Sequence, residues 1–239
     1  EYDRGVNTFT PEGRILQIEY AINAIGLGST AVGVTTPHGV ILGVERRLSS
    51  PLMDPESVEK MFKLDDHMGC AMSGLTCDAR TLVDYAREKT TDHRFNFNED
   101  ATVASVTQFI CDIVINFGES GKGSNKKKMS RPYGVALLVA GVDDHGPALF
   151  HTDPSGTFVQ FKAKAIGSAT DGAQDILDKG YHQSMTFEEG ENLVVNTLKQ
   201  VMEEKINKTN VELAIIPTSS RKWTLYDADK VQTILDRIQ

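Results

Sequence analysis

A four-layer α+β fold, with two mostly antiparallel sheets stacked face to face and helices outside both (α-β-β-α), follows from three observations. Twice along the chain a group of short β-branched runs precedes a pair of segments with helical periodicity. The runs within each group are joined by turn residues, whereas a doubly wound fold alternates strands and helices singly. The 239 residues also suffice for one large core, since a chain of this size buries roughly 70% of its unfolded surface. A single domain over 1–239 is expected.

The first element is expected as a helix over 11–25. Thr10 can cap it, Pro11 suits the first helical position, and Ile15, Ile18, Ile22 and Ile25 form one apolar stripe. Residues 1–10 form a terminal segment before it, and 26–239 the sandwich. Ser29–Thr35 and Val40–Glu45, separated by Pro37-His38-Gly39, read as a hairpin, and Met61–Leu64 and Met68–Met72 as two further strands. Ala79, Leu82, Val83 and Ala86 then mark one helix, and Val103, Val106, Ile110, Ile113 and Phe117 a second. Gly118–Arg131, with Lys126-Lys127-Lys128, reads as an exposed connector. The second cycle has strands at Tyr133–Val142, Pro147–His151 and Thr157–Phe161, then helices at about 169–182 and 187–206. Strands at Val211–Ile216 and Trp223–Tyr226 precede a last helix capped by Asp227, with Val231, Ile234, Leu235 and Ile238 on its buried face.

Composition narrows the function. With 40% hydrophobic and 24% charged residues the chain is not disordered, and a net charge of −8 opposes a general binder of nucleic acid or anionic membrane. The longest apolar runs, such as Val135–Val142, fall far short of the ~20 residues of a membrane span. Cys70, Cys77 and Cys111 are an odd number without a CxxC pair, which suits reduced thiols in cytoplasm and nucleus. Since the sequence opens Glu1-Tyr2 rather than with methionine, a few native residues are expected before it.

Several motifs fail on inspection. Gly26-Leu27-Gly28-Ser29-Thr30-Ala31 matches a dinucleotide fingerprint but follows a helix and opens a strand, the reverse of the required order. Gly118-Glu119-Ser120-Gly121-Lys122 lacks phosphate-loop spacing and has Gly123 where a magnesium-binding hydroxyl belongs. Ser73 before Gly74 and Ser155 before Gly156 are read as strand-end and turn serines rather than nucleophile elbows. His151 with Asp153, and His67 after Asp65-Asp66, lack a ligand set and read as surface or loop histidines. Asn207-Lys208-Thr209 is a glycosylation sequon only in a secreted protein. Neither a cofactor nor a metal is expected.

The opening, Tyr2-Asp3-Arg4-Gly5-Val6-Asn7-Thr8-Phe9-Thr10-Pro11-Glu12-Gly13-Arg14-Ile15-Leu16-Gln17-Ile18-Glu19-Tyr20-Ala21, closely resembles the amino-terminal signature of 20S proteasome alpha subunits. The resemblance continues through Gly28-Ser29-Thr30-Ala31, Val58-Glu59-Lys60, Ala71-Met72-Ser73-Gly74-Leu75, Arg131-Pro132-Tyr133-Gly134-Val135, Asp153-Pro154-Ser155-Gly156 and Ala165-Ile166-Gly167-Ser168, and covers nearly the whole chain. Three further segments, Gly5–Phe9, Ser50–Met53 and Lys199–Lys205, match one alpha type more than the others. The Gly121–Lys128 connector departs from the family pattern.

This resemblance implies the Ntn-hydrolase sandwich, in agreement with the element order. In catalytic relatives a threonine freed at the N-terminus is the nucleophile and its own amine the base. The corresponding position here is Ser29 or Thr30, preceded by a capped amphipathic helix rather than a pro-segment, so the resemblance implies no catalytic residue. An Ntn-type amidohydrolase with a processed Ser29 or Thr30 is the alternative. The resemblance also implies a pocket between neighbours in which Lys60, Gly28 and Ile15 receive an activator's C-terminal carboxylate, and a gate cluster of Tyr2, Asp3, Pro11 and Tyr20. The implied role is structural and gating, in ubiquitin-dependent degradation. The implied partners are other alpha subunits in a seven-membered hetero-ring, beta-ring subunits, and regulatory-particle ATPases or other activators, with no nucleic acid and no membrane.

Overall fold

Residue alternation along the strands builds the layers. In β5 (Val135–Asp143), Val135, Leu137 and Val139 pack under α2 (Thr76–Phe97) and α3 (Val103–Val114), while Ala136, Leu138 and Ala140 face the other sheet. The same period of two governs the hairpin β1 (Ala31–Thr36) and β2 (Gly39–Glu45). There Val32, Val34 and Ile41 pack under α4 (Thr170–Gly180) and α5 (Phe187–Val201), and Ala31, Val40, Leu42 and Val44 point inward. Both faces of these strands are therefore apolar, as expected of a sheet covered on both sides. Each large side chain so buried contributes about 1.5–3 kcal/mol.

The computed structural model describes residues 5–48, 50, 52–118 and 129–238. The remaining elements are α1 (Leu16–Ile25), β3 (Met61–Asp65), β4 (Met68–Gly74), β6 (Gly146–Thr152), β7 (Phe158–Gln160), β8 (Ala163–Ile166), β9 (Val211–Pro217), β10 (Thr224–Leu225) and α6 (Ala228–Arg237). One sheet runs β10-β9-β2-β1-β8 and the other β3-β4-β5-β6-β7, all pairs antiparallel. This is the expected α-β-β-α sandwich. Asp227 caps α6 by accepting from the Lys230 amide, and Val231, Ile234 and Leu235 are its buried face, with Ile238 partly buried beside them. No helix among the described residues is long and apolar enough to cross a membrane.

The first helix begins later than the 11–25 expected, at Leu16. Thr10-Pro11-Glu12-Gly13 is instead a β-turn, closed by the Gly13 amide donating to the Thr10 carbonyl at 2.9 Å, with Phe9 bridging Ile15 across it. Proline at the second and glycine at the fourth position of a turn is as strong a signal as proline at the start of a helix. Gly13 settles between them, because its φ of +77° lies outside the helix.

Other boundaries differ too, and α3 stops at Val114, leaving Phe117 outside the helix expected to include it. The strand β8 was not anticipated, since Ala-Lys-Ala-Ile carries little β propensity; the free edge of β1 recruits it. α5 stops at Val201 rather than near 206, and the chain leaves the helix so that Met202 and Ile206 both reach the core. β10 is only two residues, and the Trp223 amide before it donates to the carbonyl of Asp66, in the turn between β3 and β4. The Lys126–Lys128 connector lies outside the described residues; its base is closed by a bridge between Phe117 and Met129.

Candidate functional site

The end of the sandwich where the first helix meets the first strand collects Gly28, Ser29, Thr30 and Lys60 from the residues singled out above. α1 packs on β4 and β5, and Ile25 is its buried anchor. From there Gly26–Gly28 leads into β1 through a narrow passage. A Cβ on Gly28 would stand 2.5 Å from both the Gly74 nitrogen and Ser73 Oγ. The Gly28 carbonyl in turn accepts from the Ser168 amide at 3.0 Å. Glycine is needed here for close backbone approach within the chain itself.

The two candidate nucleophiles lie just beyond. Ser29 and Thr30 are both buried, and each nitrogen is part of a peptide bond. The Thr30 amide donates to Glu45 Oε2 at 3.2 Å. Ser29 Oγ has no hydrogen-bond partner among the described residues. Glu45 pairs with Arg47 at 3.2 Å, and Arg47 donates to the Ser168 hydroxyl and to the Leu27 carbonyl. The guanidinium thus ties the passage shut from outside. Neither Glu45, Arg47 nor Ser168 was singled out from sequence; they meet only through strand register, and Arg46-Arg47 directly after a strand-end glutamate was the one available signal.

Lys60 precedes β3, its carbonyl accepting from the Met72 amide at 3.0 Å, and its half-buried ammonium reaches Thr76 Oγ1 at 3.5 Å. Burial first, and Arg47 second, hold its pKa below the ordinary lysine value. Among the described residues no carboxylate lies within ion-pair distance of it. A partly dehydrated ammonium beside a guanidinium, with no counter-ion of its own, favours an anion brought from outside.

The other predicted residues scatter. Ile15 and Gly28 lie beyond opposite ends of α1, which at 1.5 Å per residue separates them by roughly 15 Å or more. One chain therefore does not bring Ile15 to Gly28. Pro11 is exposed on its turn and Tyr20 on α1, while Tyr2 and Asp3 lie outside the described residues. Among the rejected motifs, Ser155 is held in a turn by Asp153, and Asn207 caps its own turn by accepting from the Thr209 and Asn210 amides. Ser73 ends β4. His67 was expected at the surface or in a loop; it does sit in a turn, but its side chain is buried, because the strand register shifts between Lys63 and Asp65. His151 is likewise half-buried within β6.

A family model described as "Proteasome subunit" matches residues 25–216, and a second, for the N-terminal signature of the alpha class of that family, matches residues 2–24. The chain belongs to the proteasome alpha-subunit family. It is 53% identical over 237 residues to the alpha type-5 proteasome subunit of Trypanosoma brucei brucei, covering 99% of this chain and 96% of that one. It is also 53% identical over 239 residues to the probable alpha type-5 proteasome subunit of Schizosaccharomyces pombe, covering 100% and 96%, and 51% identical to the Dictyostelium discoideum protein named alpha type-5, covering 100% and 98%.

As a member of the alpha class the chain is non-catalytic, and the amidohydrolase alternative at Ser29 or Thr30 falls. The structure gives a physical reason. A free amine at either residue would require removal of α1, whose Ile25 packs between the sheets with Ala31 and Ile166. Proteasome alpha signature and helix are one segment, since the matched residues 2–24 hold nearly all of α1.

Proposed function

We propose that this chain is a structural and gating component of the 20S proteasome outer ring, of the alpha type-5 kind, and that it helps to receive the C-terminal tails of activators such as the regulatory-particle ATPases. The observation that carries the docking role is Lys60, a half-buried ammonium without a carboxylate partner among the described residues, beside Arg47 and at the same end of the sandwich as Gly28. A terminal carboxylate supplies the missing charge, and a compact ammonium suits it. Because Ile15 is distant from Gly28 within one chain, the pocket is composite, with Ile15 contributed across a subunit boundary. The exposed Tyr20, Ile22 and Leu27 of the α1 region support burial against neighbouring alpha subunits.

In this reading Tyr2, Asp3, Pro11 and Tyr20 form the gate cluster with their counterparts on adjacent subunits, and tail binding selects its open state. The protein contacts two alpha neighbours and the beta ring, serves ubiquitin-dependent degradation in cytoplasm and nucleus, and uses no cofactor. The test is a titration of assembled particles with a peptide copying an activator tail. Lys60→Ala is expected to weaken binding about tenfold, equivalent to ~1.4 kcal/mol, and to leave the chain's own stability nearly unchanged. The same peptide with an amidated C-terminus should bind wild type and variant equally. Equal affinity of wild type and Lys60→Ala for the free-carboxylate peptide would remove Lys60 from the site.

A further inference from the structure

A second cluster, remote from the Lys60 site, has the makings of a cation site. Asp65 ends β3 with its side chain only 7% exposed, and His67, 4% exposed, follows in the β3–β4 turn. His67 Nε2 lies 2.7 Å from the Ala101 carbonyl. A carbonyl only accepts, so Nε2 carries a proton, and in the neutral imidazole Nδ1 presents a lone pair. That buried Nδ1 has no hydrogen-bond partner among the described residues, and Asp65 Oδ2 is 3.9 Å away. Asp100, in the α2–α3 connector, brings a second carboxylate, and one donor atom from each of the three residues lies within 4.8 Å of the others.

Two features separate this from an ordinary acidic patch. A histidine whose other nitrogen donates to a backbone carbonyl is held in the tautomer and orientation that metal-binding histidines adopt. Secondly, 3.9 Å is too long for a hydrogen bond between Nδ1 and the carboxylate, so a shared proton does not bridge them. A metal does: with bonds of about 2.1 Å, donors around a tetrahedral zinc stand ~3.4 Å apart. The space between the carboxylates is held by Arg94, which donates to both Asp65 oxygens at 2.7 Å and to Asp100 at 2.9 Å. The site already contains a cation, supplied by α2.

We propose that Asp65, His67 and Asp100 bind a divalent cation of the zinc class in exchange for the Arg94 guanidinium. One imidazole and two carboxylates are a borderline donor set that suits zinc, with water completing the coordination. Arg94 swings out to solvent when the metal enters, and the exposed Asp100 side chain moves in to close the donor triangle. The metal would staple the β3–β4 turn to the α2–α3 connector.

The experiment is equilibrium dialysis of the full chain, stripped with a chelator, against zinc chloride alone. Wild type is expected to bind one zinc per chain at this site. His67→Gln keeps a donor for the Ala101 carbonyl and loses the Nδ1 lone pair; Asp100→Asn, at an exposed position, loses one carboxylate. Each should weaken zinc binding tenfold or more. Arg94→Gln removes the competitor and should tighten it by a similar factor, a change that a merely structural ion-pair cluster does not produce. Should His67→Gln fail to fold, Asp100→Asn and Arg94→Gln decide the matter. Unchanged zinc affinity in Asp100→Asn, or no binding in either wild type or Arg94→Gln, overturns the proposal.

Discussion

Replacing Asp78 by asparagine should destabilise this protein by about 3 kcal/mol and flatten its response to acid. Asp78 is buried in the first turn of α2. Its carboxylate accepts from both terminal nitrogens of Arg131, at 2.7 and 2.9 Å, and from the Gly134 amide at 2.8 Å. The Leu75 amide donates to the Gly134 carbonyl, so the start of α2 is fastened to the entry of β5 by one cluster. Burial alone would raise the carboxyl pKa and is the largest single influence, but the Arg131 and Gly134 hydrogen bonds together outweigh it and hold the pKa below the ordinary aspartate value. Removing one partner of a buried pair costs about 3–5 kcal/mol. The low end applies here, because Arg131 is partly exposed and screened by water. A depressed carboxyl contributes stability above its unfolded pKa and loses it as pH falls through its folded pKa. Urea unfolding of wild type should therefore show stability declining below about pH 4, the unfolded aspartate value, with a shallower decline in Asp78→Asn. Parallel acid limbs would mean that Asp78 is not the titrating group.

Gly28→Ala should cost a similar amount for a different reason. The added methyl meets the Gly74 backbone nitrogen and Ser73 Oγ at 2.5 Å and the Ile25 carbonyl at 3.1 Å. Two of these three atoms are backbone and cannot rotate away, so α1 must lift from the sandwich. Overpacking of this kind costs about 1–3 kcal/mol, which for a domain of this length lowers the melting temperature by roughly 2–4 °C per kcal/mol. The drop should appear in the isolated chain with no activator tail present. Adding Ser73→Ala should restore part of it, since that change relieves one of the two closest contacts. A Gly28→Ala chain as stable as wild type, yet defective in tail binding, would reverse the emphasis and make this glycine a ligand contact alone.

The layers were legible because the strands carry unbroken β-branched and leucine runs whose alternate residues serve two different cores, as Leu137 and Leu138 do. The caps were legible where one residue decides, as Asp227 does. What escaped depends on partners distant in sequence. β8 exists because β1 has a free edge, and no reading of Ala163–Ile166 alone supplies that edge. His67 read as polar because Asp65-Asp66-His67 looks like a solvated turn, whereas a register shift turns the ring inward. At the candidate site, family resemblance pointed to Lys60 and Gly28, but their surroundings were invisible: an ammonium with no carboxylate partner among the described residues, and a glycine wedged against Gly74. The Glu45–Arg47–Ser168 latch joins the end of β2 to the segment after β8, so its one local signal, Arg46-Arg47 after the strand-end glutamate, does not reveal its partner.

The most direct test of the account is native mass spectrometry combined with N-terminal analysis of the protein purified from its own cells. A particle of several hundred kilodaltons, containing this chain with the Gly28–Ser29 bond intact and α1 attached, is the result expected of a non-catalytic ring subunit. A small species whose chain begins at Ser29 or Thr30 would contradict it, since the freed amine would turn the buried end of the sandwich into a catalytic one.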